Sequence, residues 1–220
     1  TDKTLARLSG LKWLRELGLD GTRITGDGLR HLEGMQQLEE LDLQGTEMSA
    51  AGLVSIGKLR NLRKLDLSNT SGEMEAGFAA LGQLRELREL RLVERPVEDA
   101  RLIPLAGLSE LISLDLRGTN VTGEGLEELA GLRSLLALSL DDSRVTDRGV
   151  ETLAKFTQLE RLSLSGTRIT DASAETLKKM THLERLSIRD TAISPEVAKE
   201  IAEALGEDVV AWGERESPLP

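Results

Sequence analysis

Aliphatic residues recur along this chain at a fixed interval. Leu14, Leu38, Leu62, Leu87, Leu111, Leu135, Leu159 and Leu183 each open a Leu-x-x-Leu-x-Leu unit, with Ile188 closing the last. The step between units is 24 residues, except for one of 25 between Leu62 and Leu87. Such a period marks a stacked solenoid, whose units cannot bury their apolar faces alone. In the second unit, Glu40-Leu41-Asp42-Leu43-Gln44 alternates with period two and predicts a half-buried strand. The apolar spacing then becomes three, at Leu53, Ile56, Leu59 and Leu62, and predicts a short helix. Each unit is therefore expected to run strand, turn, helix, return.

Helix starts are signalled too. Thr25, Ser49, Thr122, Thr146, Thr170 and Ser194 recur at one position, where a hydroxyl is expected to accept the first free amide hydrogens. Asp27, Glu124, Asp147, Asp171 and Glu196 follow, placed for the positive end of a helix dipole. Pro195 stands at the helix position where proline is best tolerated.

The pattern resembles the leucine-rich repeat family, and within it the bacterial 24-residue type, as in Leu162-Ser-Leu-Ser-Gly-Thr-Arg-Ile-Thr-Asp171. The resemblance implies an α/β solenoid shaped as an arc, with a parallel sheet on the concave face and short helices on the convex one. Eight strands at about 4.8 Å spacing give an inner face roughly 35–40 Å long. Where many family members carry a bridging asparagine, this chain has Thr22, Thr46, Thr70, Thr119, Ser143, Thr167 and Thr191. A hydroxyl has no amide fork, so a thinner turn ladder is expected.

One domain is expected over 1–212. It comprises a half-repeat at 1–13, eight repeats at 14–206 and a capping strand at 207–212, with 213–220 as a disordered tail. Trp212 is expected to pack over the last unit, against Ile188. Thr1-Asp2-Lys3-Thr4-Leu5 aligns with Thr25-Gly26-Asp27-Gly28-Leu29, so the sequence opens halfway through a unit.

Composition narrows the function classes. Aromatics are only 2 % of residues against 39 % apolar, so aliphatic side chains must fill the interior. A net charge of −10 argues against nucleic acid and anionic membranes. No cysteine is present, which excludes disulfides and thiolate metal sites. No membrane span or signal peptide is visible; the cytoplasm is favoured on that basis, and a monomer is expected.

Catalytic and cofactor motifs fail on inspection. Gly52–Leu59 approaches a phosphate-binding loop but ends in Leu where Ser or Thr must hold magnesium. His31 and His182 lack partners at ligand spacing and are read as solvated. Glu127-Glu128 and Asp141-Asp142 are adjacent pairs whose members diverge. No enzyme activity, metal or cofactor is expected.

The outward strand positions carry more information. Glu16, Asp20, Glu40, Asp42 and Asp66 surround a lone Lys64 in the first three units, whereas Arg161, Arg185 and Arg189 stand among serines in the last two. Like charges so stacked destabilise a sheet and suit a partner of complementary charge. In between, Val93, Ile112, Leu136 and Ala137 form an apolar cluster at strand-face or strand-edge positions, and Arg91, Val93, Ile112, Asp115, Arg117, Leu136, Ser139 and Asp141 form the expected binding site. Either Ile112 and Leu136 are its exposed centre, or neighbouring loops cover them. Close by, regularity fails at 71–77, which carries the inserted residue, and at Arg95, Pro96, Glu98 and Pro104.

The expected function is therefore a non-catalytic module that binds a protein partner through the concave sheet face. The alternatives are the substrate-recognition part of a larger enzyme or regulator, and a carbohydrate or small-ligand receptor. The last is weakened by the lack of aromatic platforms on the inner strands.

Overall fold

The computed structural model describes residues 1–214, so all but the first two residues of the tail expected at 213–220 lie outside the described residues. Nine parallel strands form one sheet in chain order: β1 (Glu16–Gly18), β2 (Glu40–Asp42), β3 (Lys64–Asp66), β4 (Glu89–Arg91), β5 (Ser113–Asp115), β6 (Ala137–Ser139), β7 (Arg161–Ser163), β8 (Arg185–Ser187) and β9 (Val210–Ala211). Register follows the repeat. Leu41 pairs with Leu65, and Leu65 with Leu90 across the 25-residue step, so the insertion is absorbed outside the sheet. Of every strand triplet only the central residue points inward, which is why a three-residue strand suffices.

The convex side carries α1 (Asp2–Leu8), α2 (Ala50–Ile56), α3 (Asp147–Leu153), α4 (Ala174–Leu177) and α5 (Pro195–Leu205). In several other units the helical half is a tight 3₁₀ segment, as at Gly26–Leu32, Glu75–Gln83 and Gly125–Leu129. The apolar spacing of three fits this winding, in which every third side chain aligns. Leu41, Leu43, Leu53, Ile56, Leu59 and Leu62 are all at most 2 % exposed, and the same positions are buried unit after unit. In the first unit Leu14 and Leu17 are only partly buried, because β1 is the edge strand.

Two backbone rules explain much of the polar sequence. The residue two beyond the last strand leucine is left-handed in every unit, at Gly21, Gly45, Asn69, Glu94, Gly118, Asp142, Gly166 and Asp190. Glycine adopts that conformation without strain, and asparagine or aspartate at lower cost than most residues. The hydroxyl next in line then turns back on its own unit, as Thr46 does to the Leu43 carbonyl (2.6 Å) and Thr119 to Leu116 (2.7 Å). The ladder between turns is carried there by backbone, such as the Ser71 N–H on the Thr46 carbonyl (2.9 Å).

The hydroxyls expected to cap helices divide. Ser49, Thr170 and Ser194 accept amide hydrogens of their own helical turn, but Thr25 and Thr146 do not, and the helical turn after Thr122 begins at Gly125. Whether or not they cap, four of these residues are bound in a fork by aspartates of the preceding unit. The Thr25 N–H and hydroxyl both donate to Asp2 at 2.9 Å, and those of Thr170 to Asp147 at 2.8 Å. Thr122 and Ser194 bind Asp99 and Asp171 in the same way. Read from sequence, Asp147 and Asp171 were dipole partners; their stronger role is to tie adjacent turns together.

The irregular units compensate for each other. Arg95, standing where threonine would be, is buried, and its guanidinium donates to the Thr70 and Gly72 carbonyls around the insertion. Burial depresses its pKa, countered only in part by Glu75. Pro104 breaks no helix: it lies in the first turn of a separate 3₁₀ segment, Ile103–Gly107, where its missing N–H is not needed.

At the C-terminal end, α5 and the buried Val210 close the core. Trp212 lines a shallow recess with Ile188, Ile193, Pro195 and Ala198 yet remains 41 % exposed, so it contributes less to closure than expected. Trp13, before β1, is 87 % exposed. Among the described residues no helix is long and apolar enough to cross a membrane.

Candidate interaction face

The residues flanking each central strand leucine form rows across the sheet. One row reads Glu16, Glu40, Lys64, Glu89, Ser113, Ala137, Arg161, Arg185; the next reads Gly18, Asp42, Asp66, Arg91, Asp115, Ser139, Ser163, Ser187. Two recesses open on this face. The first, of about 340 Å³, runs from Glu16 to Arg91. The second, of about 260 Å³, runs from Arg91 across Ser113, Ala137 and Ser139 to Arg185 and Ser187. Arg91 stands between them and lines both.

Much of the acidic charge is spoken for. Asp42 accepts the Gln44 N–H at 2.9 Å and Asp66 the Ser68 N–H at 2.8 Å, so these carboxylates hold the turn that follows each strand. Lys64 sits 3.3 Å from Glu40 and 3.8 Å from Glu89, and Arg91 is 3.6 Å from Asp66. The bond to Glu40, with the nearby charge of Glu89, raises the Lys64 pKa. The stacked like charges noted in the sequence, Glu16 on Glu40 and Asp42 on Asp66, are thus relieved within the fold on one side. Arg117 grips Asp115 at 2.7–3.1 Å, which raises its own pKa. Asp141 accepts the Ser165 N–H at 2.9 Å and the Ser163 hydroxyl.

The eight expected site residues do not form one patch. Arg91, Asp115 and Ser139 line the second recess. Val93, Arg117 and Asp141 lie on the row where the chain leaves the sheet, with Val93 half-buried. Ile112 and Leu136 lie at the opposite margin, five residues and about 16 Å from the exit row. Both are half-buried, and their carbonyls accept N–H groups of the next strand. They continue a rim in which Arg15, Glu39 and Arg63 are linked by ion pairs of 2.8 and 3.3 Å. The apolar pair therefore borders the recess rather than occupying its centre. Missed in the sequence was Ser113, whose small size, with that of Ala137 from the expected apolar cluster, opens the floor; its place in the strand row was the available signal.

Other candidate chemistry finds structural roles. Lys58 of the loop-like motif pairs with Glu33 at 2.9 Å on the convex side, and Glu127 pairs with Lys155 at 2.6 Å. His31 and His182 are half-buried rather than solvated. Among the described residues no group of three His, Cys, Asp or Glu side chains is placed to hold a metal ion.

Family models described as leucine rich repeat match residues 3–71, 110–130 and 131–154, together about half of the chain. No curated protein matches the sequence. Among solved structures, the chain is similar to an internalin C2 from Listeria monocytogenes, with 22% identity and a TM-score of 0.73, covering 96% of this chain and 91% of that one. It is also similar to a leucine-rich repeat protein of Leptospira interrogans, with 18% identity and a TM-score of 0.55, covering 93% and 62%. At these identities the likeness speaks for the fold.

Proposed function

The chain belongs to the leucine-rich repeat family, and from that premise we propose that it is a non-catalytic module binding a partner protein along the concave face of its sheet. Repeat folds of this family generally serve protein–protein interaction. The observation that carries the reading is the pair of recesses meeting at Arg91, which makes one trough from β1 to β8 with opposite charge at its two ends. A partner segment laid along it meets carboxylates at Glu16 and Glu40 and guanidinium groups at Arg161 and Arg185. Such a gradient fixes direction and speeds encounter more than it adds affinity. Within the trough Arg91, Asp115 and Ser139 form the floor of the contact, Val93, Arg117 and Asp141 one margin, and Ile112 and Leu136 the other, where an apolar contact can be dried.

Affinity capture from the source cell, followed by variants that leave the melting temperature unchanged, tests this. Leu136→Ala and Arg91→Ala are each expected to weaken the captured partner by more than about 1 kcal/mol, and Arg117→Ala to slow association with a salt-dependent effect. Val54 and Ile103 are exposed apolar residues on the helical side. If Val54→Arg or Ile103→Arg abolishes capture while the sheet variants are silent, the partner lies on the convex face and the proposal fails.

A further inference from the structure

Among the arginines and lysines of the sheet face, Lys64, Arg91 and Arg117 each have a carboxylate in ion-pair contact. Arg161 and Arg185 have none among the described residues. They are register partners on β7 and β8, so two exposed guanidinium groups of like charge stand about 4.8 Å apart at the backbone. A chain with net charge −10 has no shortage of acids to place beside them. Two carboxylates of the same face are occupied elsewhere: Asp115 by Arg117, and Asp141 by Ser163 and Ser165. Beside the arginines, the Ser165 and Ser187 hydroxyls share one hydrogen bond at 2.7 Å, which leaves one proton of the pair uncommitted. Both arginines and Ser187 line the recess whose floor Ser113 and Ala137 keep open.

We propose that Arg161 and Arg185, with the Ser187 hydroxyl, form a subsite for a phosphorylated side chain carried by the partner protein; this rests on the concave-face reading above. A carboxylate offers one charge and two oxygens. A phosphate monoester offers a charge of about −1.5 to −2 and three acceptor oxygens, which matches two guanidinium groups and a hydroxyl donor. Binding removes the repulsion between the stacked arginines, which otherwise destabilises the sheet at that point. The phosphorylated residue then anchors one end of the segment, and the acidic recess at β1 to β3 receives its basic end.

The test uses the full chain, isotopically labelled, with the arginine Nε–H resonances read during titration. The probe is N-acetyl-phosphoserine-N-methylamide; the comparators are the corresponding aspartate amide and inorganic phosphate. The expected result is a saturable millimolar response at Arg161 and Arg185, at least about tenfold tighter for phosphoserine than for aspartate. Arg161→Gln and Arg185→Gln should each abolish it without lowering the melting temperature, and with a small rise from the relieved repulsion, and Lys64→Gln should leave it intact. Absence of a saturable response overturns the subsite. Equal affinity for aspartate overturns the phosphoryl assignment, and equal affinity for inorganic phosphate overturns its assignment to a side chain of the partner. These titrations need no partner, so their outcome is separate from the capture experiment. Capture mapped to the convex face defeats the concave-face reading, whereas capture mapped to the sheet with no probe response defeats this subsite alone.

Discussion

A single aspartate in the helical half of a unit decides how two turns are joined. Asp147 accepts the N–H and hydroxyl of Thr170 and the hydroxyl of Ser173. Burial alone would raise its pKa, but the bonds from Ser173 and Thr170 outweigh it, and the carboxyl is held below its usual value. Asp2 is lowered as well, chiefly by the Thr25 N–H. A depressed folded pKa means that the unfolded chain binds protons first. The stabilisation is thus complete above the ordinary carboxylate range and is lost as pH falls through the folded value. Urea midpoints should hold steady near neutrality and drop below about pH 4, with a shallower drop in Asp147→Asn. Asp147→Ala should cost about 1–3 kcal/mol at neutral pH, because two or three donors lose their acceptor. Glu94 makes the opposite case. It occupies the left-handed position that glycine fills in four other units, with φ of 54°. Glu94→Gly should therefore stabilise the chain by up to about 1 kcal/mol in the same urea assay, despite the added entropy of the unfolded state.

At the scale of the element, the inserted residue and the unusual arginine form one device. The 25-residue step places its extra residue in the 71–77 segment, and the Arg95 guanidinium enters from the next unit to satisfy the Thr70 and Gly72 carbonyls. Gly72 is held at φ of 86°, where a Cβ would collide with the Met48 carbonyl oxygen. Arg95→Thr restores the hydroxyl of the regular units but removes the tie to the insertion. It should raise hydrogen exchange at residues 71–74 while the amides of β6 to β8 keep their protection, at a cost of about 1–3 kcal/mol. A uniform loss of protection would show that Arg95 supports the whole core rather than this segment. The irregularity has a structural account, so it needs no ligand to explain it.

For the whole molecule, the two tryptophans report on the two ends. Trp13 is almost fully exposed, and Trp212 is partly covered and lines one recess with Ile188, Ile193 and Pro195. A buried indole at the cap would lose about 3–5 kcal/mol on truncation to alanine. At 41 % exposure, Trp212→Ala should instead cost about 1–2 kcal/mol, since only part of the side chain leaves a packed site. In single-tryptophan variants, the emission of Trp212 should shift on unfolding while that of Trp13 barely moves. In a solenoid each turn rests only on its neighbours, so the C-terminal turns should melt first when α5 is weakened. Trp212 fluorescence and global circular dichroism would then separate in Ile201→Ala.

The 24-residue period by itself determined the architecture, because each leucine at its place can be buried only by a like leucine in the next turn. Strand positions, the parallel order and the period-three winding behind them were all legible in Leu41, Leu43, Leu53 and Ile56. The tripled charge pattern of the inner face was legible too, since alternation alone tells which side chains of a strand face outward. What only the tertiary structure decided is where polar groups spend their hydrogen bonds. Asp42 and Asp66 looked like free surface charge and instead hold the next turn; Asp147 looked like a dipole partner and instead binds Thr170. Ile112 and Leu136 stand at the strand entrance, which alternation already showed; that they are half-buried there, neither an open centre nor fully covered, only the fold decided. The sequence records which residue types recur, and burial follows from that recurrence. Pairing depends on distances between turns about 24 residues apart, which exist only once the turns are stacked.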